Sequence, residues 1–287
     1  MGKGQGMDKD GIMQRVFQGA AIVSVLVLLL ICVYFFAGGL PAVGEIGFFP
    51  LVLGKDWSPS DVPPQFGILP MILGSFYVTA GAMIVGIPVG IFAAVFLANY
   101  CPARLYRLLK PATDLLAGIP SVVYGFFGLV VLVPLVRNLF GGTGMSLLTA
   151  SVILGIMILP TIIGVSEAAI RAVPNAYYEN ARALGASRER SLFFVVLPAA
   201  GRGIGAGIIL GIGRAVGETM AVIMVAGNQA RIPTGILKGV RTLTSNIVIE
   251  MGYASDLHRG ALFATALVLF VLVLLLNITV VFYRGKQ

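Results

Sequence analysis

Long stretches without a charged residue constrain this chain more than any other feature of its sequence. Five such stretches cover residues 16–44, 62–103, 115–136, 138–166 and 260–283. A helix needs about 20 apolar residues to cross the hydrocarbon core of a bilayer, and each stretch is long enough. Because every backbone N–H and C=O must be paired inside lipid, we expect helices in all five.

A sixth apolar segment, residues 202–228, is interrupted by Arg214 and Glu218. The whole chain is 58% hydrophobic and 11% charged, whereas soluble domains carry roughly 25% charged residues. A soluble globule of this length could not hide so much apolar surface, because much of any globule's surface meets water. The sequence therefore predicts an all-α, polytopic membrane protein with about six transmembrane helices.

The positions of lysine and arginine predict the orientation of these helices. Residues 62–103 could hold one long span or two short ones. With one span there and the N-terminus inside, the cytoplasmic segments hold thirteen basic residues and the outer loops hold six. This distribution follows the positive-inside rule, so we expect cytoplasmic N- and C-termini. In the outer loop 39–66, we expect Trp57 to be an interfacial anchor.

Several classes of function are disfavoured by the sequence. The net charge of +8 could suggest nucleic acid, but the arginines fall between apolar runs, so we expect no nucleic-acid partner. The two cysteines, Cys32 and Cys101, are expected to be free thiols. With one histidine, His258, no metal-ligand spacing exists. No nucleophile with a base and no G-x-x-x-x-G-K-[ST] motif is present, so we expect neither an enzyme nor a bound cofactor.

The loop between the fourth and fifth predicted spans, residues 171–198, contains residues that are typical of helix starts and ends. Pro174 suits a first helical turn, and a short helix of about ten residues follows, with Glu179 and Arg182 on it. Gly185 suits a C-terminal cap that needs a positive φ, and Ser187 can cap a second helix. The sequence therefore predicts a helix–turn–helix unit at the cytoplasmic membrane surface.

Three side chains of this loop, Tyr177, Ala181 and Leu184, share one helix face. Exposed apolar groups beside a small-residue turn are typical of a knob that fits a groove on another protein. The alternative is a positively charged loop that only fixes the membrane topology. Topology does not explain the Glu–x–Ala–x₃–Gly spacing with a later Leu-Pro in this loop.

Charges inside the fifth predicted span are the second notable feature. Gly203, Gly207 and Gly211 recur every four residues, as do Gly213 and Gly217, and such ridges allow close helix packing in lipid. Arg214 and Glu218 are four residues apart, so on one helix they can meet on one face. Charges at membrane depth usually face a cavity or a partner. They could line an anion path, with Arg214 donating to an oxyanion, or form a structural ion pair. Glu167, Asp114 and Arg137 lie near predicted helix ends, where no function is expected of them.

The loop resembles the EAA loop of ABC importer permeases, whose pattern is E-A-A-x₃-G-x₉-I-x-L-P. Five positions match in register: Glu179, Ala181, Gly185, Leu197 and Pro198. The second alanine is Asn180 here and the isoleucine is Val195, and neither change removes the turn. The resemblance implies an ABC type I importer permease fold in which this loop forms the coupling helices. In that family these helices sit in a cleft of a separate ATPase subunit, which binds the ATP.

A finer resemblance covers about residues 45 to 283. The stretches 118–125, 211–221 and 241–252 are similar to the PstC branch of the phosphate-specific permeases, as is Trp57-Ser-Pro followed by Phe66-Gly. This likeness implies a bacterial plasma (inner) membrane protein that forms a heterodimer with a sister permease. The other implied partners are two ABC ATPase subunits and an extracytoplasmic phosphate-binding protein. Arg214 and Glu218 match charged positions tied to transport in that branch.

The resulting domain prediction has three parts. Residues 1–15 form a cytoplasmic N-terminal segment, residues 16–66 hold the first transmembrane helix and an extracytoplasmic loop, and residues 67–287 form the permease transmembrane domain. The function expected is the permease of an ATP-driven phosphate importer. A permease for molybdate or sulfate is the near alternative. A self-contained secondary transporter or channel is the distant one, since no inverted repeat is evident.

Overall fold

The computed structural model describes the backbone of residues 4–285 and the side chains of residues 11–275, 277 and 278. Two short strands, β1 (Trp57–Ser58) and β2 (Gln65–Phe66), form an antiparallel hairpin. The α-helices of the described residues are α1 (Gly4–Ile46), α2 (Phe48–Leu53), α3 (Leu69–Val95), α4 (Ala103–Gly118), α5 (Ser121–Phe127), α6 (Val133–Phe140), α7 (Leu147–Arg171), α8 (Asn175–Ala183), α9 (Arg188–Ser191), α10 (Leu197–Ala199), α11 (Gly201–Gly217), α12 (Met220–Val225), α13 (Leu243–Glu250) and α14 (Asp256–Gly285). The predicted all-α class is confirmed.

Three π-helical turns link some of these elements. Phe96–Tyr100 extends α3, Gly128–Leu132 joins α5 to α6, and Leu192–Val196 joins α9 to α10. A π turn keeps the backbone N–H and C=O groups paired while the helix widens locally. The helices can therefore change direction without leaving polar backbone groups exposed to lipid.

Among the described residues, five helical segments are long and apolar enough to cross a membrane. They are Gly11–Ile46, Leu69–Tyr100, Ser121–Phe140, Leu147–Arg171 and Asp256–Leu275. A sixth candidate is a bent pair, Arg188–Ala199 followed by Gly201–Gly217, whose two halves meet at 67°. About six spans were predicted, with a single one inside residues 62–103, and both predictions are confirmed.

Helix α7 lies at the centre of the fold, between α3 and α11. Three of its isoleucines, Ile153, Ile158 and Ile162, are fully buried. Glycines on α3 let the two helices approach closely, because a Cβ at Gly86 or Gly90 would stand 2.7 Å from Ile158 or Ile162. Such backbone proximity is typical of helix packing in membranes, where van der Waals contact replaces the hydrophobic effect.

The glycine ridge predicted on α11 packs against the other side of α7. A Cβ at Gly207 would lie 3.1 Å from Ser166 Oγ, and one at Gly211 would lie 3.0 Å from Ile162 Cγ1. Gly203 contacts Ala169 in the same way. The second glycine row is different, because no described residue lies within 4 Å of a Cβ at Gly213 or Gly217. Within the described residues, α11 therefore has one packed face and one uncovered face.

The predicted continuous helix over residues 202–228 is wrong. Helix α11 ends at Gly217, and Glu218 has extended backbone angles (φ −70, ψ 133) before α12 begins at Met220. The break keeps its backbone groups paired, because Thr244 Oγ1 donates to the Glu218 carbonyl at 3.1 Å. Irregular backbone at membrane depth is tolerated where protein groups satisfy it in this way.

The predicted interfacial anchor at Trp57 is also wrong. Trp57 is buried, and its Nε1–H donates to Glu250 Oε2 at 2.8 Å. Arg241 Nη1 donates to the other oxygen of Glu250, and His258 Nε2 lies 2.8 Å from Oε2. Glu250 is 5% exposed, so these partners offset the unfavourable burial of its charge. The network joins the β hairpin, α13 and α14.

Candidate functional site

The loop between α7 and α11 folds as the predicted helix–turn–helix unit. The predicted start at Pro174 is one residue early, because Pro174 is the N-cap and α8 begins at Asn175. Gly185 has φ +86, the left-handed conformation predicted for it. The Gly185 N–H donates to the Arg182 carbonyl at 3.0 Å and the Ala186 N–H to the Ala181 carbonyl at 3.1 Å. This pair of bonds defines a Schellman cap, which satisfies the last carbonyls of α8.

The second half of the loop begins at Ser187, as predicted. Its hydroxyl oxygen accepts a hydrogen bond from the Arg190 N–H at 3.2 Å, which caps α9. Arg182 further ties the two halves together, because its Nη1 donates to the Ala186 carbonyl at 2.7 Å. The turn is thus held by three kinds of bond: a Schellman cap, an N-cap and a side-chain bridge.

The tip of the loop carries exposed apolar side chains. Leu184 is 90% exposed and Tyr177 is 51% exposed. A Cβ at Gly185 would meet no described atom within 4 Å, so the turn is open among the residues that the structure describes. Exposed leucine and tyrosine beside an open turn give the loop an apolar end with no cover among the described residues, as a docking element requires.

The five predicted coupling residues occupy different parts of this unit. Glu179 is exposed on α8, and Ala181 is half-buried at the carbonyl that receives the Schellman bond. Leu197 is half-buried against the apolar cluster beneath the loop, and Pro198 follows it in α10, where it is exposed. Ala181 and Gly185 therefore meet in the turn, whereas Leu197 and Pro198 lie at the point where the chain re-enters the helical bundle.

A buried carboxylate at the base of the loop was missed by the sequence reasoning, which expected no function of Glu167. Glu167 is 2% exposed and accepts a hydrogen bond from Tyr106 Oη at 2.7 Å and one from Arg171 Nε at 2.8 Å. Lys110 Nζ lies 3.3 Å from its other oxygen and also pairs with Asp114. The available signal was the four-residue spacing of Glu167 and Arg171 on one helix. This cluster fastens α4 to the end of α7, from which the loop starts.

The same cluster shifts the pKa of two groups on α4. The hydrogen bond to Glu167 raises the pKa of Tyr106 above its usual value, and burial and the charge of Glu167 act in the same direction. Burial alone would lower the pKa of Lys110, but hydrogen bonding to Asp114 and attraction to Glu167 outweigh burial and raise it. Both shifts favour the protonated side chain, so the cluster keeps its ion pairs across the neutral pH range.

Arg214 and Glu218 do not form the predicted pair. Because α11 ends at Gly217, the two residues no longer share a helix face, and no hydrogen bond or ion pair joins them among the described side chains. Glu218 Oε1 instead accepts the Ala221 N–H at 3.1 Å, which caps α12. The half-buried Arg214 makes no hydrogen bond or ion pair with any described residue, although it interacts electrostatically with Tyr124.

Comparisons with known protein sequences agree with these features. The family described as "Binding-protein-dependent transport system inner membrane component" matches residues 86–284. The phosphate transport system permease protein PstC of Mesorhizobium japonicum is 35% identical over 288 residues, which cover 93% of this chain and 87% of that protein. The probable ABC transporter permease protein YqgH of Bacillus subtilis is 34% identical over 279 residues, covering 96% and 90%.

Solved structures share the fold at low sequence identity. A bacterial alginate ABC transporter in complex with a pentasaccharide-bound periplasmic protein matches with a TM-score of 0.64 and 16% identity, covering 94% of both chains. The MetNI methionine ABC transporter in an inward-facing conformation matches with a TM-score of 0.57 and 23% identity, covering 77% of this chain and 94% of that one.

Proposed function

Because the chain belongs to the family of binding-protein-dependent transport system inner membrane components, we propose that it is the transmembrane permease subunit of an ATP-driven phosphate importer. The observation that carries this proposal is its likeness to phosphate permeases over nearly its whole length. A probable phosphate transport system permease protein of Methanocaldococcus jannaschii is 32% identical over 289 residues, which cover 92% of this chain and 90% of that protein.

The cytoplasmic loop is the proposed coupling element. The apolar tip formed by Tyr177, Leu184 and the open turn at Gly185 enters a cleft of a separate ATPase subunit, which binds and hydrolyses the ATP. Glu179 and Ala181 shape α8, while Leu197 and Pro198 transmit its movement to the start of α11. The support for this assignment is geometric, because three independent hydrogen-bonding devices hold the turn rigid. A rigid element transmits a displacement that a flexible loop would absorb.

Arg214 and Glu218 are proposed to line the substrate path. Arg214 keeps its guanidinium donors unused within the described part of the chain, and a guanidinium suits a tetrahedral oxyanion because its donors form a planar fork. Arg214 is half-buried near the end of α11, three residues before the helix ends at Gly217, and charges at membrane depth usually face a cavity or a partner. Glu218 holds the break between α11 and α12 and adds a negative charge that weakens anion binding. Weak binding favours release during transport.

The proposed assembly follows the organisation of ATP-driven importers. This chain pairs with a sister permease through the uncovered face of α11, and the two permeases bind two ABC ATPase subunits and an extracytoplasmic phosphate-binding protein. Its N- and C-termini lie in the cytoplasm of a cell whose inner membrane it spans. The distribution of basic residues supports this orientation, since the arginine-rich loop then faces the cytoplasm.

The cargo is tested by uptake of labelled phosphate into proteoliposomes that contain the assembled transporter, with unlabelled sulfate or molybdate as competitor. We expect unlabelled phosphate to compete and the other two anions to have no effect at equal concentration. Absence of ATP-dependent phosphate uptake, with ATP-dependent uptake of labelled sulfate or molybdate by the same proteoliposomes, would assign this permease to another oxyanion and contradict the proposal. Empty liposomes supplied with the same ATP serve as the control for leakage.

A further inference from the structure

A cavity of about 470 Å³ lies behind the coupling loop, at the cytoplasmic ends of the second and fourth spans. It is separate from the exposed tip and from Arg214. Its polar lining includes Asn99, Arg171, Tyr178 and Arg188, and its floor is apolar, with Leu192 and Val196 among the lining residues. Nothing in the coupling function described above uses these polar groups.

Both arginines of the cavity are held in place by the end of the second span. Arg171 Nη2 donates to the Leu97 carbonyl at 2.7 Å, and Arg188 Nη2 donates to the Asn99 carbonyl at 2.8 Å. The Arg188 guanidinium also stacks over the Tyr100 ring, 4.8 Å from its centroid. A guanidinium carries five N–H donors, so both side chains keep donors that these bonds leave unused.

The charge balance of the cavity is positive. Arg171 is paired with Glu167, so its charge is partly compensated, whereas no carboxylate within 4 Å pairs with Arg188 in the described part of the chain. Asn175, the first residue of α8, also lines the cavity and brings the positive end of that helix dipole. Arg188 is therefore the main source of positive potential.

A buried donor in the wall needs an acceptor. Asn99 Nδ2 is buried and has no hydrogen-bond partner among the described residues. An unpaired buried donor is unfavourable, and most such groups in native proteins are paired by protein, water or a ligand. A ligand that accepts from Asn99 and also carries negative charge would satisfy both the orphaned amide and the two guanidinium groups.

We propose that this cavity binds a phosphate-group anion that braces the coupling loop against the ends of the second and fourth spans. Phosphate oxygens accept several N–H bonds at once, and arginine recognises them with its planar fork. The group can come from the head of an anionic phospholipid, whose acyl chains would meet the apolar floor, or from inorganic phosphate in the cytoplasm. Both sources place the same chemistry beside Arg188 and Asn99.

The proposal is tested with the full chain in the assembled transporter, in two arms. In the first, native mass spectrometry measures retention of phosphatidylglycerol against phosphatidylcholine. In the second, equilibrium dialysis of lipid-depleted transporter measures binding of labelled inorganic phosphate. The second arm uses an Arg214→Gln background, so that binding in the proposed transport path is not counted.

The decisive variant is Arg188→Gln. The matched control is Arg190→Gln, which removes the same charge from a residue that lies two positions further along the chain and does not line the cavity. We expect Arg188→Gln to weaken binding at least about tenfold in one of the two arms, because a charge-assisted bond is lost. Arg190→Gln should bind as the parent does. The arm that responds identifies the source of the phosphate group.

Equal binding by the parent and Arg188→Gln in both arms would overturn the proposal, as would equal losses in both arginine variants, which would indicate general charge attraction. If Arg188→Gln fails to assemble, Asn99→Asp gives a second test, because it is nearly isosteric and replaces the orphaned donor with a negative acceptor. Asn99→Asp should also abolish the retained anion, and unchanged binding there would equally refute the site.

Discussion

Replacing Gly185 tests the turn of the coupling loop at its most sensitive position. Its φ of +86 lies in the left-handed region, which costs a residue with a Cβ about 1–2 kcal/mol. A Cβ there would meet no atom of the described part of the chain within 4 Å, so the cost of Gly185→Ala comes from the backbone alone. That cost lowers the equilibrium constant for the closed turn by about 5- to 30-fold.

Three substitutions separate the backbone effect from the surface effect. Gly185→Asn should be the mildest, because asparagine adopts the left-handed conformation more readily than other residues with a side chain. Gly185→Ala carries the full backbone cost without bulk. Gly185→Trp carries the same backbone cost and adds a large ring at the exposed tip. We therefore expect coupling to fall in the order wild type, Asn, Ala, Trp.

The assay is co-purification of the ATPase subunit with the tagged permease, followed by phosphate uptake by the reconstituted complex. Expression and membrane insertion of each variant serve as controls, because the substitution lies outside the packed bundle. If Gly185→Trp co-purifies with the ATPase and transports phosphate as the wild type does, the loop is not the docking element. If Ala and Asn behave alike, the left-handed backbone is not what limits coupling.

Three further predictions concern charged and hydrogen-bonded groups. Arg214→Gln should abolish phosphate uptake while the complex still assembles. The control, Arg202→Gln near the start of the same helix, should transport normally. Wild-type uptake by Arg214→Gln would leave Arg214 only a structural role. Glu218→Gln should keep the cap of α12, since an amide oxygen can still accept the bond, so it should change transport more than thermal stability. Glu218→Ala removes the acceptor and should also lower the free energy of unfolding by about 1 kcal/mol. Tyr106→Phe removes a hydrogen bond to Glu167 and should lower stability by about 1 kcal/mol. Because the folded-state pKa of Tyr106 is raised, that contribution is full below pH 10 and is lost as pH rises through the folded-state pKa. The melting temperatures of the wild type and of Tyr106→Phe are measured between pH 8 and pH 11. A difference between them that grew with pH would contradict this prediction.

The spans and the coupling turn could be predicted from the sequence because their causes are local. Apolar length decides a membrane span, and the charge distribution decided that residues 62–103 hold one span, as they do. Gly185 and Ser187 act through bonds to residues within five positions of themselves. The length of an apolar run and the residues of the turn are both complete within a short window of sequence, whereas the charge distribution is read over the whole chain.

The errors arise where distant residues decide the local structure. At the break, the Glu218 carbonyl accepts a hydrogen bond from Thr244, 26 residues later. The apolar pattern of residues 202–228 could not indicate that bond. Trp57 is held by Glu250, 193 residues away, so its burial could not be read from its own loop. The paired roles given to Arg214 and Glu218 assumed an unbroken helix. Their proposed role in transport now depends on the half-buried Arg214 guanidinium, which makes no hydrogen bond or ion pair with any described residue.

As proposed, this chain moves phosphate only when a separate ATPase drives it. The most direct measurement is accumulation of labelled phosphate in proteoliposomes, comparing the complete transporter and binding protein with this permease alone or paired with its sister permease. We expect accumulation against a gradient that requires ATP, the ATPase subunits and the binding protein together. Phosphate uptake by the permeases without ATP or ATPase would instead indicate a self-contained transporter or channel.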